Sequence, residues 1–455
     1  MQFELTQEFI EEIEQLIVSK NSVAVEDHFK EMHPADIAEV LDALNFDEAV
    51  FVIRLLDSET TSDILEELEE DTRERVLQSL SVKEIAKEID ELETDAAADI
   101  IAELPEERKD QVIAEIEDKD HAKDIVDLMR YEEDSAGGLM GKELVAVKEN
   151  WTVIRAVREM RKQAEDLEEV YIVFVVDEAG ELKGRLSLKS LLRTNDKTLV
   201  KDVYVPDIHY VKTTDDADEV AQIMQKYDLF VLPVIDQIGH LVGQITIDDV
   251  VDHIRDEADK DYQMAAGITD DVEADDSIKE LVKARLPWLI IALLGGFLSV
   301  LVLNSFNYAM IKYASLFFFT PLIAATAGNV GVQSSAIVVQ GLANGSLKGS
   351  VWNRLLKEIT LSLLNGFILA IILMLIGHFL LSNYISGFDF AMSLTVAISL
   401  ISVILIASLI GTFVPIFLDK RGIDPAVATG PFITTSNDIF GIFIFFYIAK
   451  LLLGF

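Results

Sequence analysis

The last 170 of the 455 residues constrain this chain most, because they hold five long apolar stretches and little charge. Beyond Arg285 the acids are Glu358, Asp389, Asp419, Asp424 and Asp438, and the bases Lys312, Lys348, Arg354, Lys357, Lys420, Arg421 and Lys450. The apolar stretches run over about 287–307, 314–340, 355–383, 391–418 and 425–453. Each is long enough to cross a hydrocarbon core of about 30 Å as a helix. Backbone groups in hydrocarbon must bond within the chain, so this half predicts an all-α transmembrane domain of five helices, with the lipid bilayer as a partner.

The first 285 residues hold the other 74 of 79 acids and 31 of 38 bases, a formal net charge of −43. Such a surface repels nucleic acid and anionic headgroups and favours cations or a basic protein. The chain has no cysteine, hence no disulfide, thiolate metal site or cysteine nucleophile. The N-terminus, MQFELTQEFIEEIEQ, lacks a basic region followed by an apolar core, so no cleaved signal peptide is expected and this part stays in the cytoplasm. Lys279, Lys283, Arg285, Lys348, Arg354, Lys357, Lys420 and Arg421 then fall inside, against Lys312 and Lys450 outside. That asymmetry fits an odd number of spans in the plasma (inner) membrane, with the C-terminus outside.

Residues 1–130 carry a helical period throughout. ADIAEVLDAL (35–44), TSDILEELEE (61–70) and AADIIAELPEE (97–107) resemble one another, predicting an acidic N domain of stacked short helices, an α-superhelix. The pattern changes over 131–248. Residues 139–200 and 201–256 each read as strand, helix, strand, turn, strand and helix, a tandem α/β module. In the second copy the elements from the first helix onward are VAQIMQKYDL, FVLPVID, QIGH, LVGQITI and DDVVDHI. A connecting helix and charged linker follow at 249–275, the helix ending at Gly267. The transmembrane domain is expected over 276–455, entered by a short basic helix, IKELVKARLPW, with Pro287 and Trp288 at the interface. The whole reads as a multidomain membrane protein.

Asp438 is the one ionisable side chain between Asp424 and Lys450. A carboxylate at membrane depth is costly unless it faces protein or water, and by default marks an ion or proton pathway. Thr434 and Thr435, four and three residues earlier, share its helical face. A packing carboxylate bonded to another helix is the bland alternative, and a proton relay would call for further ionisable residues at other depths. In the second span Asn329 and Gln333 lie four apart on one face, a pair that either cross-bonds to a neighbouring helix or lines a pore. Mg2+ gives up water reluctantly and is held by few protein ligands. One carboxylate, doubled by a two-fold axis, suits a hydrated divalent ion, with Thr434, Thr435, Asn437 and carbonyls loosened near Pro431 accepting from its waters. Zinc or copper would call for histidine or cysteine, and the one histidine of this half, His378, lies near the outer end of the third span.

LPVIDQIGHLVGQITIDDVV resembles the signature of a cystathionine-β-synthase (CBS) domain, and 139–256 resembles a CBS pair, a regulatory module that often binds adenine nucleotides. Over the full chain the order of parts resembles the MgtE family of Mg2+ channels. So do YEEDSAGGLM (131–140), TAGNVGVQSS (326–335) and DPAVATGPFITTSND (424–438). The resemblance implies a homodimer with its pore between subunits, Asp438 as the ion-selecting carboxylate, and a plug helix at about 249–266. It implies cytoplasmic sensor carboxylates as well: Asp95 and Asp99 facing the CBS pair, Asp228 and Asp249 within it, and Glu257 and Asp261 on the plug meeting Asp424. The chain departs from the family at Lys260, where an acid usually stands. Asp424 also reads as a helix N-cap before Pro425.

The expected function is therefore a Mg2+-selective channel importing magnesium down its electrochemical gradient. Intracellular Mg2+ bridging the acidic N and CBS domains would shut it. A H+- or Na+-coupled divalent-cation transporter (Mg2+, Mn2+, Co2+) on the same site is the alternative. ATP or another adenine nucleotide is expected in the CBS cleft near Asp252 or Pro233, though no glycine-rich phosphate loop occurs. With no Ser/His/Asp set or His-rich metal site, no enzymatic activity is expected.

Overall fold

The computed structural model describes the chain except residues 1, 2, 4, 166, 168–169, 270–271, 273–276, 344–346, 348–349, 380–388 and 429. It divides into two compact units, Met1–Arg255 and Asp256–Phe455.

Among the described residues, ten helices from α1 (Gln7–Val18) to α10 (Lys119–Leu128) open the first unit. They are short because local signals start and stop them. Asp57 caps α5 (Ser58–Glu67) by accepting from the Thr60 N–H, and Ser81 with Glu84 forms a capping box on α7 (Val82–Ile89). The three similar stretches correspond to α3 (Pro34–Ala43), α5 and α8 (Thr94–Glu103). Each of these helices ends on a buried leucine in extended backbone: Leu44, Leu68 and Leu104. That leucine anchors in the core and turns the chain into the next helix, so a repeated sequence becomes a repeated change of direction. The stretches 61–70 and 97–107 thus span a helix end and the next helix start. α3 packs on α5, α5 on α7, and α7 on α9 (Glu106–Glu115), the stacking expected of a superhelix.

The α/β part contains β1 (Val145–Lys148), α11 (Val153–Gln163), β2 (Val173–Val176), β3 (Leu182–Leu186) and α12 (Leu188–Arg193). The second copy follows with β4 (Val211–Lys212), α13 (Ala217–Tyr227), β5 (Val231–Ile235), β6 (Leu241–Thr246) and α14 (Ile247–Ala266). Both sheets have one design: the first strand parallel to the second, the second antiparallel to the third. Every residue of β2 and β5 is buried, as a central strand covered on both faces requires. The first copy keeps its own core, whereas Val220, Leu232, Ile245 and Val250 of the second share one with Leu41, Ile64 and Ile101 of the helices. The helical region, expected to end near residue 130, therefore packs on the second copy in one continuous core.

The second unit holds α15 (Ile278–Ser305), α16 (Asn307–Lys312), a 3-10 segment (Ala314–Phe319), α17 (Thr320–Ala343), α18 (Val351–Phe379), α19 (Phe390–Asp419) and α20 (Gly430–Leu453). Five of its helices have the length and apolarity to cross a membrane. Three details differ from expectation. The basic entry helix and the first span are one helix, α15, which carries Pro287 in its interior at the cost of one backbone bond. The fifth helix starts at Gly430, not 425, after a 3-10 turn at Pro425–Ala428. Pro431 therefore sits in the first turn, where proline suits a helix start, and does not loosen the middle of a span. The end of the third span, 380–383, and most of the linker at 270–276 lie outside the described residues.

α19 is the hub, packing on α17, α18 and α20, while α15 packs on α20. Small residues allow this closeness: Ala397, Ser408 and Gly411 of α19 are all buried.

Candidate functional site

Asp438 lies half-buried on α20 and borders a cavity of about 470 Å³ within the membrane unit. Thr434 and Thr435 line it from the same helix, Gly295, Gly296 and Ser299 from α15, and Ala266 from the end of α14. A shell of six waters at ~30 Å³ each needs roughly 180 Å³, so a hydrated ion fits here with room to spare. The hydroxyl face foreseen in the sequence is present. Thr434 spends its hydroxyl proton on the Gly430 carbonyl, 3.0 Å away, which leaves its oxygen lone pairs to accept from water. Close approach of α15 depends on Gly295, since a β-carbon there would overlap the Thr435 methyl.

Other expected pore residues are placed differently. Asn437 does not border the cavity; it is buried against Gly331 of α17. The cavity face of α20 carries Pro431, Thr434, Thr435 and Asp438, and Asn437 points about 100° away from Asp438 around the helix. Asn329 and Gln333 are exposed on α17 of the single chain and do not line this cavity.

The end of α14 meets the start of α20. Gly430 abuts the Ala265 carbonyl, and Gly267, at φ +86°, closes α14 against the Pro431 ring. The following residue pair is also tied down, Thr269 donating from its N–H and Oγ1 to the Ala284 carbonyl of α15. Glu257 and Asp261 stand one turn apart on α14, half-buried. Asp424 is exposed and accepts from the Ala426 N–H at 2.7 Å, the capping geometry read from Asp-Pro. Lys260 lies on the same helix, half-buried.

In the first unit, acids of α5, α8 and α14 converge. Loss of solvating water raises the Asp249 carboxyl above its usual range, partly offset by hydrogen bonds from the Thr246 N–H and hydroxyl. Burial, then Asp249, Glu143 and Glu93, push Asp95 well up. Asp99 is raised to about 6 by loss of water and by Glu133, against the pull of Arg73. Glu66, which the sequence did not single out, reaches about 7 through desolvation and the charges of Glu67, Asp249, Asp63 and Asp248. Glu93, Asp95 and Glu143 bring ligand atoms within 4.8 Å of one another. Glu143 is held there because its oxygens accept from the Thr94 N–H and hydroxyl, capping α8 from 49 residues away. No local pattern could have marked it. One other expected sensor stands outside this group: Asp228 is the exposed, left-handed C-cap of α13; Asp252, expected near a nucleotide, is exposed on α14.

Protonation would compete with any cation held at this cluster. Carboxyls raised to about 6 and 7 stabilise the fold most below their unfolded values, and that contribution is lost as pH rises through about 6 to 7. A divalent ion needs the ionised forms. The thermal stabilisation by Mg2+ of the detergent-solubilised chain should therefore be full at pH 8 and fade as pH falls towards 5.5. A shift equal at both values would show that these groups do not bind it.

Five membrane-length helices and two copies of one α/β fold define a multi-pass membrane protein with a tandem α/β module. Known proteins agree. Residues 320–448 match the MgtE family, described as divalent cation transporters, residues 32–134 the MgtE intracellular N domain, and 136–196 and 200–256 the CBS domain. The chain is 38% identical over 329 residues to "Magnesium transporter MgtE" of Thermus thermophilus, covering 72% of each. It is 36% identical over 326 residues to the protein of that name from Enterococcus faecalis, covering 71% of this chain and 70% of that one. A crystal structure of the cytosolic domain of the Mg2+ channel MgtE in complex with ATP aligns at TM-score 0.51 and 34% identity, over 54% of this chain and 99% of that one. The chain belongs to the MgtE family.

Proposed function

We propose that this protein is a homodimeric Mg2+-selective channel that imports magnesium down its electrochemical gradient and is closed by intracellular Mg2+. The observation that carries the reading is Asp438, a carboxylate at the edge of a large hydroxyl-lined membrane cavity. Pairing two protomers about this cavity would bring two carboxylates to one hydrated ion. Asn329 and Gln333, exposed on α17, would be available to the passage or the dimer contact. The relatives named as magnesium transporters support Mg2+ as the cargo.

Gating would follow from charge. The first unit carries nearly all the acid of the chain, and its raised carboxyls register mutual repulsion and lost hydration. Mg2+ binding best to the compact arrangement shifts the population towards it. The end of α14, seated at the start of α20, is placed to carry that change to the pore as a plug. An adenine nucleotide in the CBS pair is proposed from the ATP-bound relative, with Asp252 near it. The positive-inside pattern supports an N-terminus in the cytoplasm and a C-terminus outside.

Purified protein in liposomes tests this. Mg2+ flux should follow membrane potential and ignore imposed proton and sodium gradients. Flux driven by either gradient at zero potential would make it a coupled transporter.

A further inference from the structure

α18 carries a stripe along one face, Arg354, Glu358, Ser362 and Gly366, each four residues from the next. Every rung meets another helix. The Arg354 guanidinium reaches the Ile337 carbonyl of α17 at 3.5 Å, and the Glu358 carboxylate accepts from the Ser334 hydroxyl of α17 at 2.6 Å. Ser362 bonds Ser408 of α19, and Gly366 lies against the Ile401 backbone. Glu358 is the one acid of α18, and Ser334 is buried. α18 packs mainly on α19, so the first two rungs are its polar hold on α17. A hydroxyl bonded to a carboxylate is among the stronger polar links between helices.

Ser334 shares α17 with the glycines that touch α20. Three residues before it, a β-carbon at Gly331 would overlap the Asn437 amide. Three further back, a β-carbon at Gly328 would stand 3.1 Å from the Thr434 methyl and 3.8 Å from Asp438 Oδ1. A turn of α17 about its axis at Ser334 is therefore also a displacement at Gly328, ~9 Å away along the same helix.

We propose that Glu358 is a positioning residue for the ion pathway: by holding Ser334 it fixes the rotation of α17, and so the width of the space beside Asp438. The inference rests on Asp438 being the ion site. Glu358 acts through α17 and touches no ion. Discrimination between Mg2+ and Ca2+ depends on the dimensions of a site and on the water the ion retains, so a loosened α17 admits the larger ion.

Mg2+ and Ca2+ uptake by the full chain in liposomes tests this. Ser334→Ala and Glu358→Ala should each lower the Mg2+-to-Ca2+ uptake ratio about tenfold, roughly 1.4 kcal/mol, whereas simple loss of folded protein leaves that ratio unchanged. Glu358→Gln still offers an oxygen to Ser334 and should keep the ratio within about twofold of the wild-type value. The double alanine variant should fall no further than the worse single one, because either change removes the same bond. An unchanged ratio in both alanine variants, or additive losses, would overturn the proposal. So would a glutamine variant as poor as alanine, which would make the charge itself the requirement. Should the alanine variants fail to fold, Ser334→Cys and Glu358→Asp weaken the bond and leave a smaller hole, and an unchanged ratio in both overturns it as well. Asp438→Asn separates the two readings. Uptake surviving in that variant removes Asp438 from the ion site, whereas an inert Asp438→Asn beside unchanged ratios in the alanine variants removes the Ser334–Glu358 link alone.

Discussion

Asp438→Ala is expected to reduce Mg2+ uptake into liposomes to the level of empty vesicles while the protein still elutes folded, at the wild-type position. At an effective dielectric of ~20, a carboxylate ~5 Å from a divalent ion attracts it by roughly 7 kcal/mol before desolvation is counted. Each factor of ten in rate or affinity needs only about 1.4 kcal/mol, so even a small surviving fraction of that attraction decides conduction. Hydroxyls and small residues, which make up most of the remaining lining, cannot replace a charge. Asp438→Asn separates charge from shape, because it keeps the volume while losing the negative charge and turning one acceptor oxygen into an amide donor. Both variants should be silent by radiotracer or fluorescent-indicator uptake. Selective uptake retained by Asp438→Asn would take Asp438 out of the role assigned to it.

The second large effect is expected in the sensor. Asp249→Asn and Asp95→Asn should each raise the inner-face Mg2+ concentration for half-maximal closure by tenfold or more. Two consequences of neutralising an acid oppose one another. Repulsion falls, which favours the compact state without Mg2+, and a ligand is lost, which weakens Mg2+ binding to it. Ligand loss wins because the ion carries two charges against the single charge of a neighbouring carboxylate. These substitutions are better tests than deleting residues 1–130, since the helical region shares its core with the second CBS copy and deletion would strip apolar surface there. Patch-clamp recording with stepped inner-face Mg2+ checks the shift, and an unchanged closing concentration in both variants would remove this cluster from gating.

Much of the fold was legible in the residues. Apolar run length set the five membrane helices, β-branched runs alternating with helices and glycine turns set the tandem α/β copies, and Thr434, Thr435 and Asp438 fell on one face by counting. Other parts were not. Asn437 was grouped with Asp438 by adjacency, but rotation along the helix buries it at a different contact. Glu143 and Glu66 gained importance only when distant helices closed around them. Gly295 in α15 was a readable sign of close helix packing, and it passed unremarked within an otherwise apolar span.

The sequence by itself determined what each stretch could be, because hydrophobic periodicity, capping and charge act between near neighbours along the chain. Tertiary structure alone decided which acids share a site, which amide is sealed away from the cavity, and that the helical region and second CBS copy pack as one core. Those outcomes depend on which helix faces meet, and contacts between residues far apart in sequence leave no signature in any local pattern.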